Sequence, residues 1–124
     1  MTSAPITIDV VPIEDCVVVA VAGEVDLLTA DQLRDALMGV VERYAVVVVD
    51  LAEVQFLSST GLAALTLAHR VAVASGNQLR LVATDRVTLR PLEITGMTTQ
   101  IAVFDSTDDA MAGGDRPDPS RPRG

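Results

Sequence analysis

The sequence predicts a single α/β domain, a mixed sheet of about five strands with helices packed against it. Three observations carry this. Val46-Val47-Val48-Val49 is a continuous β-branched run, the pattern of a strand buried on both faces. Segments with apolar residues at helical spacing lie before and after it. The order of patterns reads β-β-α-β-α-β-α-β-α, and right-handed crossovers between parallel strands place the first helices on one face of the sheet. A chain of 124 residues is one domain, long enough to bury a core without disulfides or metals.

Each element has its own signal. Ile6 to Val11 reads as a first strand and Cys16 to Ala22 as a second, joined by a turn at Pro12-Ile13-Glu14-Asp15 into an antiparallel hairpin. Gly23-Glu24-Val25-Asp26 breaks the strand pattern. Thr29-Ala30-Asp31-Gln32 matches a capping box, and Leu33, Ala36, Leu37, Val40 and Val41 follow at helical spacing up to about Tyr44. Ala45 to Leu51 is the third strand. A second helix is expected from Thr60 to Ala74, with Ala64, Leu67, Ala68, Val71 and Ala72 as its core stripe. On that phase Leu62, Thr66, His69 and Val73 fall on an outer edge. Gly76 closes the helix. Leu79 to Ala83 reads as the fourth strand, and Asp85 to Thr95 as a third helix that Pro91 should kink or delay. Ile101 to Phe104 is a short edge strand, and Ser106 to Met111 a last helical turn or two. The domain is thus expected over residues 5–111, and the Gly/Pro/Arg-rich stretch 112–124 as a disordered tail.

Composition narrows the function. Apolar residues make up 49% of the chain, yet only Tyr44, Phe56 and Phe104 are aromatic, so the core is aliphatic. The net charge is −8 and the chain has no lysine, against direct nucleic-acid binding, which needs a basic patch. No run approaches the roughly 18 apolar residues of a membrane-spanning helix, and no signal-peptide pattern opens the chain. A cytoplasmic protein without membrane insertion is expected. Cys16 has no intrachain partner, and its valine neighbours suggest an inert strand residue.

The informative stretch is Phe56-Leu57-Ser58-Ser59-Thr60-Gly61-Leu62. Hydroxyl residues at a helix start can cap it. They also stand where free N–H groups and the helix dipole favour a phosphate. The junction lies at the carboxyl end of a strand, where open α/β sheets carry their sites.

In order and spacing, three segments match one family. Gly23-Glu24-Val25-Asp26, then Val49-Asp50-Leu51 through Phe56-Leu57-Ser58-Ser59-Thr60-Gly61-Leu62, then Leu92-Glu93-Ile94-Thr95-Gly96-Met97 resemble the signatures of the STAS-domain family, and of its anti-sigma factor antagonists in particular. The resemblance implies that Thr60, directly before the glycine, is the phosphoacceptor, with Ser59 the runner-up. Ser58 stands where the family often has Asp. The resemblance further implies a partner surface of Asp26, Ser58, Ser59, Leu62, Thr66 and His69. The partner would be an anti-sigma factor with a histidine-kinase-like ATPase domain. That factor, or a related serine/threonine kinase, would phosphorylate the antagonist, and a phosphatase would reset the switch. No catalysis and no cofactor belong to the antagonist itself.

The residues also allow plainer readings. Ser58 or Ser59 is expected to cap the helix, and Asp26 can simply close a turn. His69 is the only histidine and has no cysteine neighbour, against a zinc site. It stands roughly 13 Å along the helix from Thr60, too far to activate a hydroxyl nucleophile. There is no nucleophile elbow and no phosphate-binding Gly-Lys-Ser/Thr loop. Two alternatives stay open: a non-phosphorylated subunit of a membrane transport ATPase complex, and a scaffold in a large stress-sensing assembly. Oligomeric state is open as well, as is a nucleotide or other small ligand near Asp26 and Thr60.

Overall fold

The computed structural model describes residues 6–113. The order is β1 (Thr7–Ile13), β2 (Cys16–Val25), α1 (Ala30–Met38), β3 (Val46–Leu57), α2 (Ser59–Ala74), β4 (Gln78–Val82), α3 (Arg86–Ile94), a 3₁₀ turn (Met97–Thr99), β5 (Val103–Phe104) and α4 (Thr107–Ala112). The five strands form one sheet in sequence order. β1 and β2 are antiparallel, and every later pairing is parallel. The expected mixed α/β domain is the observed one. The tail expected beyond residue 112 lies, from 114 on, outside the described residues.

The valine runs explain the layers. Alternate residues of a strand face opposite sides. Val17, Val19, Val21, Val47, Val49 and Leu81 pack under α1, α2 and α3, with Leu33, Leu37, Leu65, Ala68, Ala72 and Leu92 descending from the helices. Val18, Val48 and Val82 face the other way, against Phe104 of β5 and Ala110 of α4. Arg80 pins α4 there, its Nη1 donating to the Ala110 carbonyl at 2.8 Å.

Several boundaries differ from expectation for physical reasons. The hairpin turn is only Glu14-Asp15, with Glu14 at φ 59°. β2 runs through the Gly-Glu-Val segment to Val25, and β3 runs six residues past Leu51 to Leu57. Two register shifts between them give β3 its extra residues, so the pairing continues to Val25 opposite Leu57. Bulges of this kind hide a strand from period-two reading. α1 ends at Met38 rather than near Tyr44, because the chain turns from Gly39 onward, and Val40 and Val41 are buried from that turn. Pro91 does not delay α3, which begins at Arg86 under the Asp85 cap. Gly76 and Gly96, both at φ 78°, follow α2 and α3 as expected.

The phase of α2 is corrected. Leu62, expected on the outer edge, is buried, and Leu67, expected in the core stripe, is 42% exposed. The helix carries apolar residues on nearly every side, so pattern alone does not choose its inward face. A direct check is urea unfolding of two leucine variants. Leu65→Ala should lose about 2–5 kcal/mol. Leu67→Ala should stay within about 0.5 kcal/mol of the wild type.

Candidate functional site

The site forms where β2 and β3 end together. Because their pairing reaches Val25 and Leu57, the two following loops leave the sheet side by side. The Ser58 N–H donates to the Val25 carbonyl at 2.8 Å and ties one loop to the other strand.

Ser58 caps α2, its Oγ accepting from the Gly61 N–H at 3.2 Å. The same Oγ lies 2.7 Å from Thr60 Oγ1, a hydrogen bond between the two hydroxyls. Ser59 is exposed, and Thr60 is half-buried. Gly61 turns inward. A Cβ there would stand 2.6 Å from Val25 Cγ1 and 2.9 Å from Leu57 Cδ1. The glycine thus lets the first turn of α2 sit directly on the ends of both strands.

Asp26 builds the neighbouring helix start. Its Oδ1 accepts from the Leu28 N–H at 2.9 Å and the Thr29 N–H at 3.0 Å. The Asp26 N–H donates back to Thr29 Oγ1 at 2.9 Å, and the Ala30 N–H donates to the Asp26 carbonyl at 2.9 Å. This is a capping box opened by Asp26, one turn before the Thr29–Gln32 box the sequence suggested. Thr29 makes no cap bond of its own; it is buried, and its hydroxyl donates to the Glu24 carbonyl at 2.7 Å.

Between the two helix starts runs a groove of about 320 Å³. Leu27, Ala30, Asp31 and Arg34 line one wall, and Thr60, Ala63, Ala64 and Leu67 the other. Leu27 is 75% exposed, and its neighbour Leu28 is exposed as well. The phosphoacceptor candidate therefore sits beside exposed aliphatic surface.

The expected partner residues separate accordingly. Asp26, Ser58, Ser59 and Thr60 come together at this corner. Leu62 belongs to the core and leaves the surface list. Thr66 is half-buried, its hydroxyl donating to the Leu62 carbonyl at 3.0 Å and approaching Met97 Sδ at 3.7 Å. That edge of α2 faces the 3₁₀ turn instead of the groove. His69 lies along the same edge, half-buried, with Nδ1 buried and unpartnered among the described residues. Sequence reading missed Leu27, Arg34, Ala63 and Leu67. A signal existed for the last two: residues three and seven beyond Thr60 share its helical face. Cys16 begins β2 at the other end of the sheet. Partial burial, then the Asp15 carboxylate, holds its thiol above the ordinary range, which disfavours the thiolate. No cluster of ligating side chains suited to a metal occurs among the described residues.

Comparison with known proteins agrees with this geometry. The family model of the STAS domain matches residues 7–110. The chain belongs to the STAS-domain family. It is 34% identical over 114 residues to the anti-sigma-F factor antagonist RsfB of Mycobacterium tuberculosis, covering 90% of this chain and 93% of that one. It is 30% identical to the anti-sigma-B factor antagonist of Bacillus subtilis over 92 residues, 74% of this chain and 84% of the relative. A crystal structure of an anti-sigma factor antagonist from Mycobacterium paratuberculosis superposes with a TM-score of 0.82 at 33% identity, covering 90% of this chain and 97% of that chain. Within this STAS domain no helix among the described residues is long and apolar enough to cross a membrane.

The fit of Gly61 yields a double-mutant test. Gly61→Ala should destabilise by about 1–3 kcal/mol through overpacking. Val25→Ala removes the nearer of the two methyl groups it would strike, Val25 Cγ1, and leaves Leu57 Cδ1 in place. Chemical denaturation of the two single variants and the double variant should give a loss smaller than the sum, by at least about 0.5 kcal/mol.

Proposed function

We propose that this chain is a cytoplasmic anti-sigma factor antagonist, switched by phosphorylation of Thr60. The observation that carries the reading is the placement of Thr60. Its hydroxyl stands at a helix start, held by Ser58 and bordering a groove whose rim is exposed leucine. Relatives named as anti-sigma factor antagonists over 90% and 74% of the chain support it.

Unphosphorylated, the protein binds an anti-sigma factor and frees the sigma factor. Leu27, Leu28, Ala63 and Leu67 supply the apolar contact, and Ser58, Ser59 and Asp26 its polar border. The anti-sigma factor is also the kinase, a histidine-kinase-like ATPase domain. In the transfer step Thr60 Oγ1 attacks the γ-phosphorus of ATP. The new Oγ1–P bond forms as the β–γ bridging P–O bond breaks, ADP leaves, and the hydroxyl proton passes to a base on the kinase. Ser58, standing where the family often has Asp, orients the hydroxyl and caps the helix without a charge beside the acceptor. Phosphate adds about −1.5 to −2 charges. At a helix start this charge is tolerated by the fold. At the rim of the partner surface it brings bulk and desolvation cost, and a loss of about 3 kcal/mol weakens binding more than a hundredfold. A phosphatase returns the protein to the binding form.

The test combines mass mapping with affinity. Incubation with ATP and a histidine-kinase-like anti-sigma factor should place one phosphate on Thr60. Thr60→Ala should block it and keep binding, Thr60→Glu should weaken binding, and Leu67→Asp should weaken it with the fold intact. Phosphate on Ser59 with Thr60 untouched, or equal affinity for the wild type and Thr60→Glu, would refute this assignment. An absence of any phosphate transfer would favour the transport-complex subunit instead.

A further inference from the structure

Arg34 lines the same groove as Thr60, and it is the only cation among the lining residues. It sits on α1 one turn beyond Ala30. α1 and α2 both start at the carboxyl ends of neighbouring parallel strands and pack on one face, so they run side by side in the same direction. The guanidinium at present meets two carboxylates, Asp31 at 3.4 Å and Asp35 at 3.5 Å. All three side chains are largely open to solvent, at 45%, 77% and 75% exposure. Exposed pairs of this kind are weak and exchange readily.

We propose that phosphothreonine at position 60 docks on Arg34 inside the α1–α2 groove, displacing Asp31 from the guanidinium. The inference rests on Thr60 as the phosphoacceptor and adds where the phosphate goes. A guanidinium matches phosphate oxygens in a two-pronged geometry that a single carboxylate oxygen at 3.4 Å does not use. A near-dianion also outcompetes a monoanion for one cation. In a chain of net charge −8 with no lysine, Arg34 is the compensating charge within the groove. The docked phosphate then occupies the space between Leu27 and Leu67. Phosphorylation in this way closes the apolar contact from inside as well as charging its rim. Arg34 is a positioning residue, with no part in the transfer itself.

The experiment needs no kinase, so it stands apart from the assignment of the acceptor. Phosphothreonine is inserted at position 60 during translation, and the second phosphate ionisation, ordinarily near pH 6, is followed by phosphorus NMR. The charged groups around the phosphate are Asp31 and Arg34 of the groove, Asp35 beside the guanidinium and Asp26 at the neighbouring helix start. In Arg34→Gln the ionisation should rise by about half a unit to one unit at low salt. Arg34→Lys should restore part of the shift. Asp31→Asn should move the ionisation down, because one of the two competing carboxylates is gone and only Asp35 remains on the guanidinium. Arg90→Gln, on the exposed side of α3, removes one charge outside the groove and should leave it unchanged. A titration in Arg34→Gln that coincides with the wild type, or a shift equally large in Arg90→Gln, overturns the proposal. Kinase-directed modification at Ser59 would refute Thr60 as acceptor and leave the NMR result intact.

Discussion

The parallel pairing of β2 with β3 out to Val25 and Leu57 is the constraint on which the rest depends. It is unusually long for the two strands, and it persists only because β3 absorbs extra residues at two register shifts. Had the pairing stopped at Leu51, the chain would have entered α2 from a loop of free length. Instead the Ser58 N–H is bonded to the Val25 carbonyl, and the loop has no slack. Both helix starts are then fixed against the same sheet edge. The groove follows, since two helices that begin side by side on parallel strands leave a furrow between their first turns. Gly61 shows how tight this is, for one methyl group would collide with the ends of both strands.

The energetic consequence is that the switch proposed at Thr60 would act on a hydrogen-bonded platform. Helix starts leave N–H groups without intrahelical partners. At α1 Asp26 and Thr29 satisfy them reciprocally, and at α2 Ser58 satisfies one. Their hydrogen bonds hold the backbone whether or not a partner is present. Little ordering is then left to be lost on binding, so small changes at the rim translate into affinity more fully. An aliphatic core with three aromatic residues in the whole chain is consistent with this arrangement. Stability comes from close β-branched packing on both faces of the sheet, away from the groove.

How much of this was legible in the sequence depends on the strength of local signals. The valine runs, the glycines after α2 and α3, and the hydroxyl cluster announced the sheet, the helix ends and the start of α2 correctly. The extension of β3 did not show. Ala52, Glu53, Gln55 and Phe56 are exposed and the strand is bulged, so neither alternation nor a continuous apolar run survives. Thr29 stands at the N-cap position of α1 as expected, but its side chain makes no cap bond there. Asp26 supplies the capping bonds one turn earlier, and the Thr29 hydroxyl turns to the Glu24 carbonyl five residues back. The facing of α2 was lost for a different reason. Ala63, Ala64, Leu65, Leu67 and Ala68 differ too little in polarity for a helical pattern to choose one side. Packing against strands, absent from a one-dimensional reading, makes the choice. That error placed the buried Leu62 on the outer edge and the exposed Leu67 in the core stripe.

The corner also explains how four consecutive residues divide the work. Successive residues of an α-helix are turned by about 100°. Ser58, the extended cap residue, reaches forward to the Gly61 N–H, while Ser59 in the first turn points to solvent. Thr60 borders the groove, and Gly61 meets Val25 and Leu57. Holding the fold falls to Ser58 and Gly61, and display of an acceptor falls to Thr60. Because these duties lie on different sides of one helical turn, a charge can be added at Thr60 without disturbing the contact at Gly61. A threonine one position later would strike the strands, and one position earlier it would lie outside the groove and away from Arg34. On the function proposed, the register of a single turn thus decides which hydroxyl could carry the switch and keep the domain folded.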